Sequence, residues 1–367
     1  MATDDWYELY SERLGSFDLK MPEGLTEQQT MGHKIGCDGQ KLLAAIYAAD
    51  APALLRWIPA VQTLRRVWLQ QFLQSDEHGL KWRDNGDFPP NSELIVSPHD
   101  EQARMSRHGN HKWTGYAVVV TETCDRSLPH IVTHVDVVQA TTPDKSLTTG
   151  IQAELAANDL LPSEHYVDGG FMSAHALLNS SQKHGVDLIG PAQPDSTAQH
   201  RAAAGLDAGS FKIDWTAKTA TCPQGQISTS WSQSKVSPDE VQISFPKHVC
   251  GPCPVKDVCT RSPGRTLKIY VQPLHEVLTN ARKRMTTPAF WEDYATRAGI
   301  EGTLSQMTHS FGQRRSRYIG LAKTRLQFIA TAAARSLSSI FTWFVSHPDE
   351  QPLRRISRFA RLRLASL

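Results

Sequence analysis

Several absences narrow what this sequence can be. No apolar run approaches the length of a bilayer span, which argues against a transmembrane protein. The opening Met1-Ala2-Thr3-Asp4-Asp5 has no basic stretch and no apolar h-region, so a secretory signal is not expected. Only 6 cysteines occur in 367 residues, too few for a disulfide scaffold. Four of them cluster, and clustered cysteines in a reducing compartment hold metal more often than they pair, so a cytoplasmic location is expected. Charge of one sign is lacking as well: 39 Lys plus Arg stand against 37 Asp plus Glu. There is no internal repeat. The remainder is ordinary, with 40% hydrophobic and 21% charged residues, which excludes a disordered chain. The length suits roughly two to three folding units.

The balanced total hides a basic end. From Gly312 onward the chain carries Arg314, Arg315, Arg317, Lys323, Arg325, Arg335, Arg354, Arg355, Arg358, Arg361 and Arg363, opposed there only by Asp349 and Glu350. A basic end on a balanced body suits a polyanion such as nucleic acid, and equally a solvated helical face with a frayed tail.

Hydrophobic periodicity sets the organisation. Residues 1–90 read as helical, with Leu54, Leu55, Ile58, Val61, Leu64, Val67, Trp68 and Phe72 on one stripe and Pro59 starting or bending the helix. Two β-branched runs, at 115–121 and 130–138, flank the turn residues 124–129 and predict an antiparallel pair. Residues 80–98 read as loop, within which Leu94-Ile95-Val96 could serve as an edge or substitute strand. A helix near 151–158, a strand at 165–167, a helix at 172–184 and a strand at 186–190 complete a mixed α/β pattern over 91–194. Residues 195–270 form a Gly/Ser/Pro/Cys-rich insertion with short strands such as 241–245. Helical text fills 271–345, and 346–367 is a basic tail.

Two carboxylates stand out. Asp168 ends a short strand and precedes Gly169-Gly170, the place where ligands collect at open α/β sheets, although Asp-Gly is also a plain turn. Glu301 lies four residues after Arg297 and ahead of Arg314-Arg315-Ser316-Arg317-Tyr318. It suits either a divalent cation beside phosphate or a surface i,i+4 pair. Cys222, Cys250, Cys253 and Cys259 supply the four thiolates of a tetrahedral structural zinc site, with His248 able to replace one sulfur. Reduced cysteines without metal are the alternative. Cys37 and Cys124 read as isolated thiols.

The strings His165-Tyr166-Val167-Asp168-Gly169-Gly170-Phe171 and Gly185-Val186-Asp187-Leu188-Ile189-Gly190-Pro191 resemble the second-Asp region of bacterial insertion-sequence DDE transposases. The segments Arg297-Ala298-Gly299-Ile300-Glu301-Gly302-Thr303 and Arg314 to Thr324 resemble that family's glutamate helix. Ser97-Pro98-His99-Asp100-Glu101-Gln102-Ala103-Arg104 and Trp113-Thr114-Gly115-Tyr116 match one subgroup. The resemblance spans nearly the whole chain. It implies an RNase H-like mixed-sheet core from about Asn91 to Val345, and DNA strand cleavage and transfer assisted by Mg²⁺ or Mn²⁺. Asp168 would be the second acid and Glu301 the third.

The family's first acid sits in an Asp-Ser/Ala/Gly-Thr strand, and no such strand precedes the first helices here. Asp195-Ser196-Thr197 comes after Asp168, in the wrong order, and Asp38-Gly39-Gln40 lies in helical text. The chain therefore resembles a transposase shortened at its N-terminus, with Asp100 as the best internal substitute. Arg297, Arg314, Arg315, Arg317, Tyr318 and Lys323 are the expected DNA contacts, and a homo-oligomer off the membrane is expected. Two functions follow: a transposase, with activity impaired by the missing acid, or a non-catalytic DNA-binding remnant.

Overall fold

A computed structural model describes Trp6, Tyr10 and residues 24–75, 79–84, 86–125 and 127–346. The expected basic tail lies outside the described residues. Tertiary contacts divide the chain into two compact units. The first is Met1–Ala117, Val138–Thr141 and Tyr318–Lys323, and the second is Val118–Val137, Thr142–Arg317 and Thr324–Leu367. Both are mixed α/β, with small sheets rather than one large one.

In the first unit, helix α1 (Leu25–Ile46) meets α2 (Pro59–Gln71), which Pro59 opens at its first turn as the sequence predicts. Here the helical reading of residues 1–90 needs correction: β1 (Phe72–Ser75) and β2 (Gly79–Trp82) form an antiparallel hairpin. Phe72, counted in the helical stripe, leaves α2 because its ring has a better seat. Gly32, Gly36 and Gly39, spaced four and three apart, share one face of α1. A Cβ at these positions would come within 2.5 Å of Trp82, 2.4 Å of Phe72 and 1.9 Å of Trp68. Three glycines thus make a trough for three aromatic rings, and the Trp68 indole N–H donates to the Gly36 carbonyl at 2.9 Å. Buried Asp38 accepts from the Tyr10 hydroxyl at 3.1 Å, and burial together with that carboxylate pushes Tyr10 up to about 12.

Strand β3 (Arg104–His108) pairs antiparallel with the first residues of β4 (His111–Glu122), in the register Arg104↔Gly115 to His108↔His111. The expected edge strand at Leu94–Val96 is absent. Ile95 is buried in irregular backbone, and its N–H is taken by the Gln70 side chain at 2.8 Å. A side-chain acceptor has replaced a ladder partner.

In the second unit, β4 continues beside β5 (Val132–Gln139), with the Thr123 N–H donating to the Ile131 carbonyl at 2.9 Å. Next come α3 (Thr148–Ala157), β6 (Glu164–Tyr166), α4 (Ala174–His184) and β7 (Asp187–Ile189), close to the predicted positions. β6 and β7 are parallel. Ser173 caps α4 by accepting from the Ala176 N–H, and Gly185 ends it at φ +64°. Val167, Met172, Ala176, Leu188 and Ala192 form a buried cluster beneath the parallel pair.

Beyond it lie the hairpin β8 (Lys212–Asp214) and β9 (Thr219–Thr221), then an antiparallel sheet of β10 (Ser230–Gln233), β11 (Glu240–Phe245) and β12 (Arg265–Tyr270). Alternation along β11 buries Val241, Ile243 and Phe245 against Leu267 and Ile269.

Helices α5 (Gln272–Arg284), α6 (Pro288–Tyr294), α7 (Gly299–His309) and α8 (Leu321–Ser346) end the described chain. By length and composition α8 is apolar enough to cross a membrane, a test that the core helices of soluble proteins also pass. Its buried stripe is Thr324, Phe328, Ala332, Arg335 and Ser336. Arg325 pairs with Glu154 at 2.8 Å, and the Ser336 hydroxyl accepts from the Val132 N–H at 3.0 Å, which seats α8 on α3 and β5.

β3 stops opposite Gly115, so past that point β4 has β5 on one side and no named strand on the other. β6 likewise has only β7. Val118 to Asp125 and Glu164 to Asp168 line one cavity of about 390 Å³ between these edges.

On the wall of that cavity His165 is 8% exposed, with its Nδ1 at 3.5 Å from Gln152, whose carbonyl accepts from Ser180 at 2.9 Å. Burial, then the charge of His134, lowers its pKa to about 4. The unfolded chain therefore takes up this proton below about 6.5 while the folded chain does not. Stability conferred by His165 should fall by about 3 kcal/mol as pH drops from 6.5 to 4 and level off below that. Chemical denaturation of wild type and His165→Gln at pH 7 and pH 4 checks this, and equal pH slopes would refute it.

Candidate active site

Asp168 follows the end of β6, and its position is set by glycines around it. Its Oδ1 accepts the Gly169 N–H at 2.7 Å, starting the helical turn Gly169–Phe171. Gly190, after β7, lies so close that a Cβ there would sit 2.5 Å from the Val167 carbonyl oxygen. Any larger residue would push the two parallel strands apart just below the carboxylate.

Glu301 is in the first turn of α7 and arrives from the other direction. Three ties hold the helical segment to the strands. Arg284 grips Asp187 with bonds of 2.7 and 3.0 Å. The Tyr166 hydroxyl donates to Asp293 at 2.7 Å, and the Tyr294 hydroxyl donates to the Val167 carbonyl at 3.2 Å. Gly299 then lets α7 start against His130, 2.7 Å from where a Cβ would be.

These ties bring the predicted acids to one point. Arg297 Nη2 lies 3.5 Å from Asp168 Oδ2, and its Nη1 lies 3.6 Å from Glu301 Oε1. The guanidinium is 23% exposed, whereas Asp168 is 62% and Glu301 is 72% exposed, so a fixed cation bridges two solvent-facing carboxylates. The i,i+4 pair of Glu301 with Arg297 exists, and the same guanidinium also reaches Asp168. Burial raises the Tyr294 hydroxyl pKa, with the charges of Asp168 and Glu301 adding to the effect against Arg297.

Sequence reasoning missed Asp144. It follows Pro143 in what reads as a turn, and only the fold carries it to the site. Its Oδ2 sits 2.9 Å from where a Gly170 Cβ would be, and burial followed by the charge of Asp168 raises its pKa. Neighbouring carboxylates that resist ionising together are a pattern found where cations bind.

Asp100, the substitute first acid, belongs to the first unit. It is neither in a strand nor at a helix start. Both its oxygens face the Tyr116 hydroxyl at 2.7 and 2.8 Å, and it also accepts the N–H groups of Gln102 and Gly320. Asp125 accepts from Ser127 in a turn, and Asp136 on β5 pairs with Arg325 at 3.8 Å. Arg314, Arg315 and Arg317 are exposed, and among the described residues no carboxylate pairs with them. Tyr318 and Lys323, also exposed, belong to the first unit.

The donor chemistry suits Mg²⁺ or Mn²⁺, because hard carboxylate oxygens converge on a point that already attracts positive charge. The seat between them is held by Arg297, so a metal there has to compete with it.

No curated protein and no solved structure matches the chain. Residues 221–341 match the family model described as the transposase DDE domain. That match includes Arg297, Glu301 and all four clustered cysteines, and Asp168 lies outside it. Over residues 221–341 the chain is thus similar to the transposase DDE domain, in agreement with the resemblance carried by the strings around Asp168 and Glu301.

Proposed function

We propose that the chain carries out divalent-ion-dependent cleavage and transfer of DNA strands, with Asp168 and Glu301 as its acids. The observation that supports this best is the single guanidinium of Arg297 within 3.6 Å of both carboxylates. Mg²⁺ or Mn²⁺ would be held by Asp168 and Glu301, with Asp144 beside them, and would supply the charge that activates an attacking oxygen and stabilises a leaving one. Arg297 keeps the two acids converged and is placed to grip a phosphate when it swings away. Arg314, Arg315 and Arg317 suit bidentate contact with phosphate, which brings affinity rather than sequence readout. Tyr318 and Lys323 are further DNA contacts in this reading.

The core is proposed to be RNase H-like over about 91–345, with 195–270 as its insertion. The cavity between β4 and β6 fits a sheet that lacks one central strand, where the family's first acid would stand. That same observation favours a second reading, a remnant that binds element ends without cutting them. The outer face of α8, with Leu326, Leu337, Phe341 and Phe344 exposed, supports a homo-oligomer. A cytoplasmic location is the one that suits a DNA substrate.

Purified chain incubated with DNA bearing the element's ends and Mg²⁺ or Mn²⁺ separates the readings. Nicking supports the transposase, and binding without nicking supports the remnant. Arg297 provides a finer test. Its two partly exposed ion pairs are worth about 0.2–1 kcal/mol each. Arg297→Ala should therefore bind Mn²⁺ about 2- to 30-fold more tightly by calorimetry while weakening DNA binding, and an unchanged or weaker Mn²⁺ affinity would show that the guanidinium does not compete for that seat.

A further inference from the structure

The insertion brings together four thiols that are far apart in sequence. Cys222 directly follows β9, in a turn where the Gly225 N–H donates to the Cys222 carbonyl at 2.8 Å and Gly225 takes φ +79°. That turn aims the Gln226 N–H at the Cys222 sulfur, 3.3 Å away. Cys250 ends a one-turn helix after β11, and the Cys253 N–H donates to the Cys250 carbonyl at 3.2 Å, closing a tight C-x-x-C turn. Cys259 ends a second one-turn helix. All four line one cavity of about 30 Å³, walled by Leu206, Phe211, Phe245 and Val255 and bordered by Arg265. His248, the alternative ligand, is exposed and is not part of that lining.

From this geometry we propose that Cys222, Cys250, Cys253 and Cys259 form a tetrathiolate site for one structural zinc ion, separate from the acid site. Four convergent thiolates are the donor set of a closed tetrahedral centre. The cavity has about the volume of one water, which fits a single ion and is too small for a multi-iron cluster. The Gln226 N–H aimed at the Cys222 sulfur and the Arg265 guanidinium at the cavity wall are suitable neighbours for sulfur held by a metal. The four thiols surround the cavity without touching, so binding draws them inward. The trio with donor atoms within 4.8 Å, Asp195, His200 and Asp207, is accounted for by its own ion pair and turn hydrogen bonds.

The purpose is mechanical. The sheet β10–β12 has a small core, and the segments 222–229 and 246–264 that flank it hold little regular structure. A metal tie between the end of β9 and both one-turn helices closes those loops onto the sheet.

The test uses the full chain, purified under reducing conditions without chelator. About one zinc per chain is expected by elemental analysis, and Co²⁺ added to metal-free protein should give tetrahedral d–d bands with a strong thiolate-to-cobalt charge-transfer band. Cys253→Ser should lose the metal, whereas Cys37→Ser and Cys124→Ser should keep it. Because a serine variant can fail for lack of folding, Cys222→His supplies a second arm: it should retain cobalt with a weakened charge-transfer band. Reduced, folded wild type without metal, whose four thiols react freely with a thiol reagent and give no cobalt spectrum, would overturn the proposal, as would iron in place of zinc.

Discussion

Asp168→Asn and Glu301→Gln should each lower divalent-dependent nicking of end-bearing DNA on the order of a hundred- to a thousand-fold while leaving the fold intact. Both side chains are solvent-facing, and their protein contacts are the bridge to Arg297 and, for Asp168, a hydrogen bond to its neighbour's amide. An amide at either position removes a charge without opening a cavity, so thermal stability should change little. DNA affinity should hold or rise, because a negative group near the phosphate path has gone. A variant that still nicks at the wild-type rate would remove that residue from the acid pair. A wild-type chain that binds but never nicks would leave the remnant reading standing.

Gly39→Leu should destabilise the first unit by about 3 kcal/mol. The added Cβ would fall 1.9 Å from the Trp68 ring, which cannot rotate away without giving up its bond to the Gly36 carbonyl. Phe72 and Trp82 occupy the neighbouring seats at Gly36 and Gly32, so the displaced indole has no free space along the trough. Gly86→Ala is the control, since nothing lies within 4 Å of a Cβ there. A loss below about 1 kcal/mol on denaturant unfolding would show that the rings repack easily, and the trough would then not define the fit of α1.

Much of the fold was legible in the sequence because its signals are local. The β-branched runs became β4 and β5, Pro59 opened α2, and Val167-Asp168-Gly169 marked the end of a strand. The pairing of Arg297 with both acids was half visible, since i,i+4 spacing gives the Glu301 contact and only tertiary structure gives the Asp168 one. Other features were out of reach for the same reason. Phe72 has apolar helical spacing, and its removal into a hairpin depends on a glycine 36 residues earlier. Leu94–Val96 has strand composition and lacks a partner strand, because Gln70 takes the amide of Ile95. Asp144 sits in turn-like text, and nothing local distinguishes it from other turn acids. Asp100 carries a family-like string, and its hydrogen-bond acceptance from Tyr116 is a matter of packing that spacing cannot show.

The gap between the free sides of β4 and β6 also bears on how the protein behaves in a concentrated solution. A ladder that ends beside a void leaves amide and carbonyl groups ready to zip onto any extended peptide that reaches them. Self-association by strand exchange should then rise steeply with concentration and be suppressed by a short peptide that fills the slot. Solubility in such a molecule would be governed less by its surface charge than by whether that one interior seam is closed.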